Sequence, residues 1–551
     1  MRNMVKRNTI IFGAIGALVL IAAGTRAAGL WGTSSSDSDS TIKTYISTDL
    51  TTQDLSKMTD TYAFEIAGNT QEGLLSKSVS GEPVAGLAKS WTTSKDGLIW
   101  TFHLRKNLKW SNGTKLTAKD FVYAWRRTVD PKTASQYAYI YSGIKNADAI
   151  SAGTDKDVNS LGIIAKNAST VVVTLDSPQP QFASLMSFPS FYPQNETFNT
   201  KSGKKLGTKS SEQIYSGPYK FVDWNGTNTS FKLIPNKNYY NAKSVKNTGV
   251  DYSVIKNPTT AVQEYKSGSL DLAVLSTTEL QTANGKRKDY KAVPLAATSY
   301  FEYNQTGKVK GLKNQKIRQA LNLATNRSEI LSSIYNSVGK VPTGMTPPGL
   351  SKTASGKDFA SAAKQNYSYD LEKAKQLFAE GMKEEGLTKL NLTLELTADV
   401  PQTKLVGDFM KDSWQKLPGL TISEKFVPFK QRLNDQTNQN FDIIYVNWYG
   451  DYAEPTTFLN LFTTSSPNND GKWSNDSYDA TIKKALSTDA QKGSARDQDE
   501  QLGEKILFQD SAVNPVIWGQ QVQLSNPQVS DIQYFTTGAG TIYKKAVKHE
   551  K

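Results

Sequence analysis

Apolar and polar positions recur along this chain with two periods, and the switches between them mark its elements. Residues 441–446 (Phe-Asp-Ile-Ile-Tyr-Val) form an apolar, β-rich run of the length of a buried strand. The stretches 390–396 and 420–427 also read as strands. Amphipathic stretches at 314–323, 327–335, 371–382, 478–486 and 497–510 read as helices alternating with these strands, which predicts an α/β domain. Asp370 is placed to cap the helix that follows it, with Lys373 where a capping box would carry Glu. Earlier in the chain the pattern is finer. Short alternating segments at 100–105 and 170–175 read as strands, Ser111-Asn112-Gly113 as a turn, and 118–127 and 259–265 as helices. No internal repeat stands out.

The strand at 441–446 runs into Asn447-Trp448-Tyr449-Gly450-Asp451-Tyr452-Ala453-Glu454-Pro455. Gly450 and Pro455 break the strand, so the aromatics and Asp451 fall in the loop at its end, where binding groups collect on a rigid scaffold. A carboxylate walled by Trp448, Tyr449 and Tyr452 is partly dry and suits pairing with an ammonium group, the aromatic faces adding cation–π attraction. A solvated loop aspartate beside ordinary interface aromatics has the same spacing.

At 551 residues the chain exceeds what one core holds, so more than one domain is expected. Its 38% hydrophobic and 21% charged content places it among soluble globular chains, not disordered ones. Cysteine is absent, which excludes disulfides, thiolate nucleophiles and cysteine-based metal sites. The two histidines, His103 in the strand at 100–105 and His549 in a basic tail, build neither a Ser-His-Asp triad nor a histidine metal site. No GxSxG, HExxH or phosphate-loop pattern occurs. Asp451 and Glu454 are a carboxylate pair of the kind a glycosidase uses, but Pro455 and the loop context favour binding. No enzyme activity, cofactor or metal is therefore expected. The net charge of +14 is spread along the chain, which reads as a lysine-rich solvated surface suited to an anionic cell wall and not as a nucleic-acid site. Arg2, Lys6 and Arg7 precede an apolar run at 10–23 followed by small residues, the pattern of a secretory signal, short for a membrane span. Residues 1–27 are thus expected to be a signal or anchor segment, and 28–40 a Ser/Asp-rich linker.

Several motifs occur in one order: Gly86-Leu-Ala-Lys-Ser-Trp91, Asp96-Gly97, Trp100-Thr-Phe-His-Leu-Arg105, Lys109-Trp110-Ser-Asn-Gly113 and Asp120-Phe-Val-Tyr-Ala-Trp125. After them come Ser216-Gly-Pro-Tyr219, Ser267-Gly-Ser-Leu-Asp271, Arg318-Gln-Ala-Leu321, Thr346-Pro-Pro348 and Tyr369-Asp370. With the Asp451 loop, they resemble the OppA-type substrate-binding proteins of oligopeptide ABC importers, solute-binding family 5, from about Thr41 to near the C-terminus. The resemblance implies an α/β, two-lobed, periplasmic-binding-protein-like fold of class II with a hinge and an extra small domain. Lobe I would comprise 41–84, 196–296 and 520–551, the extra domain 85–195 and lobe II 297–519, with a ligand cleft between the lobes. Asp451 would pair with a peptide α-ammonium, and Asn447, Trp448 and Tyr449 would face Glu72, Gly73 and Leu74 across the ligand backbone. Tyr137, Tyr300, Glu302, Phe429, Asn468 and Trp518 match positions that face the cleft, although core or hinge packing is the plainer reading of the aromatics.

Two departures stand out. Tyr445, Gln436 and Tyr335 occupy positions where relatives that hold short peptides grip the ligand carboxylate with basic side chains, and Arg432 and Lys430 are the nearest substitutes. Without a grip, long peptides, whose carboxylate reaches solvent, are expected to bind better than short ones. Ile21-Ala22-Ala23 is followed by Gly24 where Gram-positive relatives carry a lipidated Cys, so thioether lipidation is not expected. The implied partners are oligopeptides and a permease with separate ATPase subunits. The implied setting is a monomer on the outer face of a Gram-positive membrane or cell wall, with no nucleic-acid partner. A same-fold binder of another ligand, such as a glycan or nickel complex, and a surface adhesin are the rivals.

Overall fold

In the computed structural model, residues 40–549 are described, apart from 79–81, 180, 294 and 539. The signal, linker and Gly24 readings fall almost wholly on residues 1–39, outside the described ones.

The three stretches at 390–396, 420–427 and 441–446 that the sequence marks as strands lie together in a five-stranded mixed sheet. Its order is Leu420–Val427, Leu390–Thr397, Ile443–Tyr449, Ala297–Tyr303, Val513–Trp518. The first three are parallel and the last two join antiparallel. Alternate residues point to opposite faces of a strand, and here both faces are apolar. Phe301, Tyr303, Ile443 and Tyr445 pack with Trp414, Leu392 and Leu394 in one core. Tyr300, Ile444 and Val446 pack with Phe458, Phe462 and Tyr478 in another. Helices Gln315–Leu323, Leu371–Glu384 and Pro401–Trp414 supply the first core, and Asp476–Ala485 and Gly493–Asp510 the second. Asp370 caps Leu371–Glu384 by accepting from the Lys373 amide at 2.9 Å. The helices Thr61–Thr70, Pro401–Trp414 and Phe429–Thr437 are additions to the sequence reading.

The rest of the chain builds three further main sheets. Ile42–Ile46, Val250–Val254, Ser230–Pro235 and Tyr219–Val222 form one, and Ala88–Thr93, Ile99–Leu104, Thr170–Thr174 and Ile163–Asn167 form an antiparallel one. A single apolar core joins these two. The third sheet is Leu272–Val274, Gln521–Ser525, Tyr290–Val293. The chain leaves this sheet after Val293 and enters the five-stranded sheet at Ala297; it returns between Trp518 and Gln521. The two crossings run side by side, Val293 opposite Gln521 and Thr298 opposite Trp518, with the Gly519 amide donating to the Ala297 carbonyl at 2.9 Å. Among the described residues, no helix is long and apolar enough to cross a membrane.

Candidate ligand-binding cleft

Beside this double crossing the strand Ile443–Tyr449 ends, and its last residues open into a cavity of about 420 Å³. The Gly450 amide still donates to the Ala296 carbonyl at 2.8 Å, and the Asp451 amide donates to Thr457 Oγ1 at 2.8 Å, so the loop is fixed on both sides of the carboxylate. Asp451 is only 5% exposed. Tyr137 donates to its Oδ1 at 3.4 Å and Tyr139 to its Oδ2 at 3.1 Å. Burial pushes the Asp451 carboxyl up to about 7, against the hydrogen bonds from Tyr139 and Tyr137 and the attraction of Lys77. Lys77 itself is pulled down to about 8 by burial, and its Nζ donates to the Thr537 carbonyl at 2.8 Å. The cavity thus presents a dry carboxylate held by neutral phenols and short of a full counter-charge. An incoming cation supplies that charge.

Two residues that line the same cavity carry a buried donor without a hydrogen-bond partner among the described residues, Trp448 Nε1 and Asn468 Nδ2. Unmet donors of this kind are costly until a ligand acceptor meets them. Arg432 also lines the cavity and is 6% exposed. Its Nη1 donates to Gln436 Oε1 at 2.7 Å, Gln436 Nε2 donates to Asp470 Oδ2 at 2.8 Å, and the guanidinium lies 5.4 Å from the centre of the Phe429 ring. Tyr335 and Tyr445, which also line it, share a hydroxyl hydrogen bond of 2.9 Å.

Residues 82–470 match the family described as bacterial extracellular solute-binding proteins, family 5. The chain belongs to that family. It is 43% identical over 545 residues to the dipeptide-binding protein of Lactococcus lactis subsp. cremoris, covering 97% of both chains. The substrate-binding domain of an oligopeptide ABC transporter from Bacillus anthracis superposes with a TM-score of 0.89 at 34% identity, covering 93% of this chain and 99% of that one. Listeria monocytogenes OppA bound to peptide superposes at 0.88 and 30% identity, covering 94% and 100%. The protein is therefore an extracytoplasmic solute-binding protein and not an enzyme.

Of the positions expected to face the ligand in this family 5 protein, Asn447, Trp448, Tyr449, Asp451, Tyr137, Phe429 and Asn468 line the cavity. Tyr300, Glu302 and Trp518 do not. Ala297 and Ser299, nearer the crossing, line the cavity, whereas Tyr300 is set into the second core and Glu302 is buried beside Gly471. Tyr300 packs edge-on against Phe462 and Glu302 accepts from the Gly471 amide at 2.7 Å. Trp518 sits between Ile517 and Gly519, which do line the cavity, and its backbone pairs with Lys340. Glu72, Gly73 and Leu74 also lie outside it. Leu74 is core, Gly73 lies against the Met186 carbonyl and the Tyr192 ring, and Glu72 accepts from Tyr239 at 3.0 Å. The residues that sequence reasoning missed are Tyr139 and Lys77. Tyr139 stands two positions beyond Tyr137, but nothing local ties it to a carboxylate 312 residues away.

Proposed function

We propose that this protein captures peptides in the cleft, pairs the α-ammonium with Asp451 and delivers the ligand to a membrane permease powered by separate ATPase subunits. The Asp451 site carries the reading: a buried carboxylate with no full counter-charge, one face of a cavity that also holds unmet donors. The names of the relatives, a dipeptide-binding protein and an OppA bound to peptide, support it. The segments 41–84, 196–296 and 520–551 would move as one lobe, with 85–195 attached to it, against 297–519, the double crossing serving as hinge. The chain would work as an exported monomer held at the cell surface. With Gly24 in place of Cys it would carry no thioether lipid, and metabolic lipid labelling that marks the protein would overturn that. The deciding experiment for the peptide reading is calorimetric titration with one short peptide in free and N-acetylated forms. Binding of the free form with a strong loss on acetylation is expected; equal affinities rule out the ammonium role.

The ligand's far end falls to Arg432 in this reading. Lys430 does not line the cavity, whereas Arg432 does, with its fork steadied by Gln436 and by the Phe429 face. A cavity of about 420 Å³ lies toward the small end of ligand sites, roughly 300–1,000 Å³. Both features favour short peptides with a free carboxylate and replace the expectation that affinity climbs with length. C-terminal amidation should cost wild-type protein about tenfold or more, and Arg432→Gln should remove most of that difference, a charge-assisted bond being worth about 1.5–3 kcal/mol. Affinity that keeps rising beyond about six residues, with no effect of amidation, would return the ligand carboxylate to solvent (a span of roughly 3.3 Å per residue).

A further inference from the structure

A second cavity, about 630 Å³ and open to solvent, lies apart from the cleft and shares no lining residue with it. It is walled by the strands Leu75–Lys77 and Pro83–Ala85, by Tyr240 and Asn241, and by the C-terminal residues Lys544 and Lys545. Four cations, Lys77, Arg105, Lys544 and Lys545, share it with one carboxylate, Glu72. Lys77 is engaged by Thr537 and by the field of Asp451. Lys544 Nζ, 3.8 Å from Glu72 Oε1, offsets the buried carboxylate. Arg105 also attracts Glu72, and Arg105, Lys544 and Lys545 against that one carboxylate leave the cavity positive.

Arg105 is held ready. Its Nε donates to the Gly86 carbonyl at 2.7 Å and its guanidinium lies 4.5 Å from the centre of the Tyr240 ring, yet its two terminal amino groups donate no hydrogen bond among the described residues. A stacked, pre-oriented fork loses little freedom on binding and matches the geometry of an oxyanion. Glu72 is 5% exposed, and its Oε2 has no hydrogen-bond partner within bonding distance among the described residues. A simple anion would meet Arg105 and be repelled by Glu72. A ligand that pairs an anionic oxygen cluster with neutral hydroxyls puts its charge on Arg105 and keeps it away from Glu72, with Ser76 and Asn241 as further polar wall. Several cations around one cavity suit phosphate, with its larger charge and three or four oxygens, better than a carboxylate, which one fork satisfies.

We propose that this cavity is a second ligand site, for a polyol phosphate: the phosphate on Arg105, Lys545 and Lys544, the hydroxyls toward Glu72 and Asn241. The proposal stands independently of the peptide reading. Free polyol phosphates and phosphatidylglycerol headgroups present the same chemistry, and one experiment distinguishes them. The full chain is titrated calorimetrically with sn-glycerol 3-phosphate and with inorganic phosphate, and is sedimented with vesicles containing phosphatidylglycerol. Saturable binding of glycerol phosphate is expected, at least tenfold tighter than inorganic phosphate. Arg105→Lys, which keeps the charge but loses the fork, and the double variant Lys544→Gln with Lys545→Gln should each weaken it at least tenfold. Peptide affinity should be unchanged in both. Co-sedimentation that is lost in Arg105→Lys identifies a membrane surface as the source; glycerol phosphate binding without co-sedimentation identifies a free or wall-borne ligand. Absence of saturable glycerol phosphate binding, equal affinity for inorganic phosphate, or unchanged affinity in both variants overturns the proposal.

Discussion

Asp451 is the residue on which peptide recognition turns, and its protonation sets when recognition is possible. Burial pushes its carboxyl up to about 7 in the empty cleft, so below that pH most of it is neutral and cannot pair with an ammonium. Peptide affinity should therefore fall by about tenfold per pH unit below 7, one unit being worth 1.36 kcal/mol. Above about 8 the ligand's own α-amino group, with a reference value of about 7.7–8.0, loses its charge and affinity falls again. Dissociation constants measured from pH 5 to pH 9 should trace that optimum, and an N-acetylated peptide should show no such profile. Asp451→Asn should cost about 2–5 kcal/mol of binding and flatten the acid limb. A wild-type profile that is flat from pH 5 to pH 8 would mean the carboxylate is ionised throughout.

At the scale of elements, the five-stranded sheet has to be rigid for the loop at its edge to hold its geometry, and the helix Pro401–Trp414 is its main buttress on one face. Trp414 is fully buried there, packs at 5.2 Å ring to ring with Phe301, and donates from Nε1 to the Leu321 carbonyl at 3.0 Å. Trp414→Ala leaves a large cavity and should cost about 3–5 kcal/mol in denaturant unfolding. A loss below about 1 kcal/mol would show that the sheet does not depend on this contact. Phe301 lies on the same strand as Ser299 of the cleft wall, so the variant should also weaken peptide binding.

Across the whole molecule, several buried carboxyls share one direction of shift. Burial pushes Glu65 up to about 7 and Glu500 up to about 8, beside Asp451 at about 7. The folded state of each group keeps its proton at pH values where the unfolded chain, at about 4–4.5, has released it. The folded form thus binds more protons, so the stabilisation is complete below that unfolded value and is lost as pH rises through 7 to 8. Lys77, pulled down to about 8, has the opposite sign: above that pH the unfolded chain holds the proton that the folded one has released, so this one group offsets part of the loss at pH 8.5. The peptide-free protein should melt at a higher temperature at pH 5.5 than at pH 8.5, and Glu500→Gln should shrink the difference. A midpoint that rises from pH 5.5 to pH 8.5 would contradict these shifts.

The linear pattern by itself determined a good part of this. The alternating stretches 390–396 and 420–427 and the apolar run 441–446 became the strands Leu390–Thr397, Leu420–Val427 and Ile443–Tyr449, because a half-covered strand shows a period of two, a strand buried on both faces is apolar throughout, and the chain records both locally. The strand-breaking Gly450 and Pro455 located the Asp451 loop, and the ordered motifs identified the family. Which side chains enter the cleft was another matter. Ser299 lines it while Tyr300 and Glu302 do not, a choice made by the register of a strand against neighbours far away in sequence. Tyr137 and Tyr139 reach Asp451 across 314 and 312 residues. Arg432 points into the cavity because the helix Phe429–Thr437 is docked where Gln436 and Asp470 meet. Local sequence sets local backbone and burial; the meeting of distant side chains, and so the charge and protonation of the site, is fixed only when the layers close on one another.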